Sequence, residues 1–111
     1  MTLKLAYCAR EVVVSPHSRA HAFYAAKRNL TVLCDEPLLR ETGVADNKIS
    51  TLLATIPRTE MMTGGNRAAL WARRRARFFK PATGYGSKAA CRGDKLTKRV
   101  WEAMATGTYI A

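Results

Sequence analysis

The sequence predicts an all-α chain: short helices, an extended basic C-terminal helical arm, and little independent core. Three observations carry that expectation. Apolar residues recur at helical spacing inside windows bounded by cap residues, glycines and prolines. No run of strand length alternates cleanly between apolar and polar. The chain has only 111 residues, so the core it can bury is modest, and nothing acts as a staple.

Residues 2–14 show no clean period: the first part favours a helix and the valine run 12–14 a short strand, and both remain open. Ser15–Pro16 reads as an N-cap with proline at the first helical position, opening a helix from Pro16 to Arg28 that Asn29 ends. Asp35-Glu36-Pro37 starts a short helix closed by Gly43. Asp46 caps the next, in which Ile49, Leu52 and Leu53 share a side before Pro57 stops it. Residues 57–66 are the least structured, with Gly64–Gly65 as a hinge. Asn66 caps a helix from Arg67 to Lys80 that gathers Trp71, Phe78 and Phe79 on one side and Arg73, Arg74 and Arg77 on another. Pro81 and Gly84-Tyr85-Gly86 break the chain. Asp94 caps a last helix, Lys95 to about Thr106, with Leu96, Val100 and Met104 as its apolar stripe. Two segments follow, a protein-facing helical one at 1–60 and a basic helical arm at 61–111.

Charge separates these segments. The net charge is +11, yet residues 61–111 alone carry eleven Lys/Arg against two acids, whereas residues 35–60 carry three against five. Such asymmetry implies a polyanion-binding segment attached to a more ordinary one. Its centre is Trp71 to Lys80, WARRRARFFK, in a stretch from Arg67 to Lys88 that holds no acid. Guanidinium groups bind phosphate bidentately and stack on bases, and aromatic rings accept unpaired bases. The alternative use of these residues is a helix whose aromatics fill a core while its arginines face solvent.

Other chemistry finds little support. Gly84-Tyr85-Gly86-Ser87-Lys88 lacks the spacing of a nucleotide-hydrolase phosphate loop; it either brings backbone close to a phosphate chain or simply turns. His17 and His21 share a helix face and, with Cys8 and Cys34, would make four zinc ligands, but the three cysteines include no close pair, so no zinc or other cofactor is expected. The odd cysteine count, without a secretory signal, implies free thiols in a reducing compartment. No nucleophile has a base placed near it by a recognisable motif, and no small-molecule substrate or catalysis is expected. No apolar run approaches the roughly 20 residues of a membrane span. Residues 1–33, with one acid among basic residues, alanines and serines, resemble an organellar targeting sequence or form a plain basic helix.

The run RRRARFFKPATGYGSK resembles the N-terminal arm of bacterial-type large-subunit ribosomal protein twenty. Arg74 and Arg75 fall near that family's basic pair, Phe78–Phe79 on its hydrophobic pair, and Lys80, Ala82, Gly84, Tyr85 and Gly86 continue its pattern. Val100, Glu102, Ala103 and Tyr109 match further on, so the similarity covers roughly residues 67–110. Pro81, Thr83 and Gly93-Asp94 depart from it. The resemblance implies a divergent form in the mitochondrial matrix, or in a plastid, reduced to its RNA-penetrating arm without the family's globular C-terminal domain. It implies a structural and assembly role in a large ribosomal subunit, with ribosomal RNA and neighbouring ribosomal proteins as partners. The RNA-contacting residues would be Arg67, Trp71, Arg73, Arg74, Arg75, Arg77, Phe78, Phe79, Lys80, Tyr85, Lys88, Arg92, Lys95, Lys98 and Arg99. The competing expectation is an accessory subunit of a mitochondrial inner-membrane respiratory complex, setting a basic surface on anionic lipid or an acidic protein face. A small DNA-binding protein is a third, for which nothing specifies a two-helix reading head.

Overall fold

In the C-terminal half the chain turns from helix to strand where the arginine run ends. The computed structural model describes residues 2–84 and 89–111. Helix α6 (Arg67–Ala72) stops after six residues, a single 3-10 turn follows at Arg74–Ala76, and Arg77 adopts an extended backbone (φ −124°, ψ 156°). Strand β1 (Phe78–Pro81) then pairs with β2 (Cys91–Arg92) on one side and β3 (Tyr109–Ile110) on the other, both antiparallel. The registers are Phe78 opposite Arg92, Phe79 opposite Cys91, Lys80 opposite Ile110 and Pro81 opposite Tyr109. Met61 bridges Ile110 on the far side of β3, and Glu60 and Ala111 exchange two backbone hydrogen bonds of 2.9 Å.

The fold is therefore mixed, helices with an antiparallel sheet, and the all-α expectation with its Arg67–Lys80 helical arm is corrected. The physical reason lies in pairing across the sequence. Two adjacent phenylalanines favour a pleated surface as readily as a helix, and the backbone groups of 78–81 find partners at 91–92 and 109–110 that no local period reveals. Segment 60–62, expected to be unstructured, supplies the sheet's far edge, so the expected boundary at 60/61 falls inside a paired segment.

The inner face of this sheet closes on a core. Leu70, Phe79, Leu96, Trp101, Met104 and Ala111 are buried together, with Met62, Trp71, Cys91 and Tyr109 packed around them. Trp101, on helix α7 (Lys98–Ala103), is its hub. The Phe79 ring meets it edge-on at 5.5 Å between centroids, and the Trp71 ring lies 5.4 Å away on its own side. Such pairs add about 0.5–1.5 kcal/mol each beyond area burial. Helix α7 starts later than expected because Thr97, not Asp94, caps it, its hydroxyl accepting from the Val100 N–H at 3.3 Å. The inward residues are consequently Trp101 and Met104 with Leu96 before them, while Val100 is exposed.

Gly93 fixes how the two halves of this unit meet. Its N–H donates to the Arg77 carbonyl at 2.9 Å, and a Cβ at this position would lie 1.7 Å from the Arg74 carbonyl oxygen. Only a residue without a side chain lets the 92–95 turn approach the end of the arginine run this closely.

The N-terminal half is a train of short helices: α1 (Leu3–Cys8), α2 (Ser18–Tyr24), α3 (Asn29–Leu33), α4 (Glu36–Glu41) and α5 (Asp46–Thr55). Asp35 caps α4 through the Leu38 N–H (3.1 Å), Gly43 closes it at φ +79°, and Leu39 and Ile49 are buried on α4 and α5. Helix α2 begins at Ser18 rather than Pro16, because the His17 ring takes the cap: its Nδ1 accepts from the Arg19 N–H. Its other end also differs: α2 stops at Tyr24 instead of Arg28, and Asn29 opens α3, its Nδ2 reaching back to donate to the Phe23 carbonyl at 2.9 Å. Among the described residues, Ala6 is the only buried hydrophobic one before Leu39. The radius of gyration is 17.6 Å, against about 13 Å for a compact chain of this length, so these first helices spread away from the core. Lys27 ties them to it, its N–H donating to the Ala82 carbonyl at 2.8 Å and its Nζ to that of Gly84 at 2.6 Å.

Candidate nucleic-acid interface

The fold sorts the basic residues by what they touch. Arg67 is built into the core wall: it donates to the Trp101 carbonyl at 2.7 Å, and its guanidinium lies 4.7 Å from the centre of that residue's ring. The Arg74 guanidinium carbon lies over the Trp71 ring, 3.9 Å from its centre, and the side chain donates to the Trp71 carbonyl. Arg77 retains only 16% side-chain exposure, faces Glu60 at 3.2 Å and donates to the Arg58 carbonyl at 3.3 Å. Glu60 also draws Arg73, at 3.6 Å. Arg92 pairs with Asp94 at 2.9 Å. In the N-terminal half Arg40 is held by Glu36 and Asp46, whose hydrogen bonds raise its pKa above the ordinary arginine value.

What remains is a free cationic surface. Arg75, Lys80, Lys95, Lys98 and Arg99 are exposed and, among the described residues, meet no carboxylate within ion-pair distance. Tyr85 and Lys88 lie outside the described residues.

The aromatics divide as sharply, because in a strand neighbouring side chains point to opposite faces. Phe79 is fully buried at 0% exposure and is thereby removed from the base-stacking residues expected of the run. Trp71 is half-buried between Arg74 and Trp101. Phe78 points outward, 46% exposed, on the face opposite the core. It has Arg92 directly across the strand pair and Lys80 two residues on, with the Lys80 Nζ 5.3 Å from the ring centre. The sequence thus brings one aromatic ring and two cations together on the outer face of the sheet.

Beside this ring a cavity of about 570 Å³ opens between the sheet and the 57–59 segment. Arg58, Arg77, Phe78, Lys80, Leu30 and Ile110 are among its lining residues, and no acidic side chain is. Arg58 was not among the residues expected at a site; it follows a proline in a segment with no helical pattern, and only the pairing of 60–62 to the sheet carries it there.

His17 is engaged by its neighbours in the chain. With Nδ1 accepting from the Arg19 N–H, the His17 ring proton sits on Nε2 and donates to the Tyr7 hydroxyl oxygen at 2.7 Å. The Cys34 thiol faces the Pro57 carbonyl at 3.3 Å. Among the described residues no group of three or more His, Cys, Asp or Glu side chains is arranged to hold a metal ion. Among them, too, no helix is long and apolar enough to cross a membrane.

Compared with known proteins, the chain matches no family model, no curated protein and no solved structure.

Proposed function

We propose that this protein is a non-catalytic RNA-binding component of an organellar large ribosomal subunit, contacting ribosomal RNA through residues 61–111 and neighbouring proteins through residues 1–60. The observation that carries the RNA reading is Phe78, an aromatic ring exposed on a sheet beside the free Lys80, with Arg92, held by Asp94, across the strand pair, within a strongly basic half of the chain. A ring in that setting offers a base the face that Lys80 leaves open, and the ammonium over the other face draws a phosphate. The ribosomal and organellar part rests on the sequence resemblance alone, and the contact it would make is that of a folded basic knob in place of a threaded helix.

The test is binding of the full chain to structured RNA across a salt series. Arg75, Lys80, Lys95, Lys98 and Arg99 supply about five phosphate contacts, so log K should fall against log salt with a slope of roughly −3.5 to −4.5. A slope near zero, or binding to anionic vesicles without binding to RNA, overturns the reading and favours the membrane-associated alternative.

A further inference from the structure

We propose that the groove beside the sheet holds one unpaired nucleotide of the bound RNA, with the base stacked on Phe78 and the phosphate on Arg58 and Lys80. The inference rests on the RNA-binding reading and names what that site takes. Four observations support it. The groove is about 570 Å³, within the roughly 300–1,000 Å³ of small-ligand sites. Its floor is apolar where Ile110 is buried, and its wall carries the exposed Phe78 ring, giving a base a surface on which to stack. Arg58 and Lys80 line it without a carboxylate partner among the described residues, whereas Arg77 is already held by Glu60. Lys80 lies 5.3 Å from the Phe78 ring centre, so a phosphate drawn to its ammonium arrives beside the stacking surface.

An unpaired nucleotide fits this arrangement and a duplex does not. Bases inside a helix have no free face for a side chain, and a concave site with a single ring accommodates one splayed base. An acidic peptide would satisfy the cations but leave the ring and the apolar floor without a planar partner, which separates the two occupants in experiment.

The experiment uses the full chain with a short oligouridylate carrying a single 2-aminopurine, the same strand annealed to its complement, and polyglutamate as competitor. The proposal expects the single strand to bind more tightly than the duplex and the 2-aminopurine emission to be quenched. Phe78→Ala should abolish the quench and weaken binding on the order of 10- to 100-fold, the range of a lost base–aromatic stack, while Phe78→Trp keeps both. Phe78 is exposed, so the far-ultraviolet circular dichroism should stay unchanged and report an intact fold in each variant. Arg58→Ala should weaken single-strand binding and make the salt slope shallower by about 0.7. If both strands bind alike and neither Phe78→Ala nor Arg58→Ala changes affinity or quench, the groove assignment is overturned while RNA binding stands. Displacement by polyglutamate through a Phe78-dependent site overturns it in favour of an acidic peptide. Absence of salt-dependent binding to either strand overturns the RNA reading itself.

Discussion

Replacing Gly93 by alanine tests whether the arginine run ends in a turn and strand or continues as a helix. In the structure the added Cβ would sit 1.7 Å from the Arg74 carbonyl oxygen, 2.6 Å from its carbon and 2.8 Å from the Arg77 carbonyl oxygen. All three are backbone atoms, so no side chain can swing aside. Relief requires parting the 92–95 turn from the 74–77 segment, which also loses the 2.9 Å hydrogen bond from Gly93 to Arg77. Overpacking of this kind costs about 1–3 kcal/mol, and the lost backbone bond adds about 1 kcal/mol, for a total of about 2–4 kcal/mol. In a chain of this length that lowers the melting temperature by roughly 10 °C or more. Gly64→Ala is the control, because nothing lies within 4 Å of its Cβ position. Thermal unfolding of the full-length wild type and both variants, followed by tryptophan emission, measures the difference. If the arginine run instead continued as a helix to Lys80, Gly93 would lie in an open turn and alanine would change stability by no more than about 0.5 kcal/mol. A Gly93→Ala protein that melts with or above the wild type, or a wild type without a cooperative transition, refutes the packing described here.

Further perturbations separate the roles of neighbouring residues. Phe79→Ala should lose about 3–5 kcal/mol of stability in urea titration, whereas Phe78→Ala, on the solvent side of the same strand, should lose no more than about 1 kcal/mol. Arg67→Ala should destabilise by about 1–2 kcal/mol through its lost hydrogen bond and ring contact, yet leave RNA affinity per folded molecule unchanged. Glu60→Gln should cost about 1 kcal/mol of stability and, by releasing Arg73 and Arg77, steepen the salt dependence of RNA binding, which filter binding at several salt concentrations reads directly.

Among the N-terminal helices, α4 and α5 are legible in the sequence because their signals are local, whereas α1 is ambiguous there and α3 begins where the sequence predicts that a helix ends. Asp35, Gly43 and Pro57 each act within a turn of their own position, and α4 and α5 appear between them. Asp46 shows the limit of such reasoning: it lies inside α5 as its first residue and pairs with Arg40, so its carboxylate serves a neighbour instead of the cap. The sheet was illegible for the opposite reason. Phe78–Pro81 spans four residues, too few to establish a period, and its identity as a strand depends on Cys91–Arg92 and Tyr109–Ile110. Trp101 is hidden as the core's hub in the sequence because Leu96 and Met104 set an i, i+4, i+8 stripe through Val100; with Leu96 ahead of the helix that spacing no longer applies, and Trp101 and Met104, three apart, share the buried side.

The same geometry changes what the arginine-rich run can contribute to binding. Projected on a helix, Arg73, Arg74 and Arg77 would make one cationic stripe beside three aromatics. In the folded chain Arg74 covers Trp71, Arg77 answers Glu60, and Arg67 braces Trp101, so these charges hold the core wall and the sheet edge together. The arginines of this run therefore serve structural contacts, stacking on tryptophan and donating to backbone carbonyls, tasks at which lysine is weaker. The free cations lie elsewhere, at Arg75 and Lys80, around α7 at Lys95, Lys98 and Arg99, and at Arg58 in the groove. A charge-reversal scan should follow this division. Substituting glutamate at Lys95, Lys98 and Arg99 together should reduce RNA affinity by far more than the loss of stability explains, because the three face solvent. Substituting glutamate at Arg74 and Arg77 should unfold the protein first. If both sets weaken binding equally while the fold persists, the run acts as a continuous binding stripe and the structural role assigned to its arginines fails.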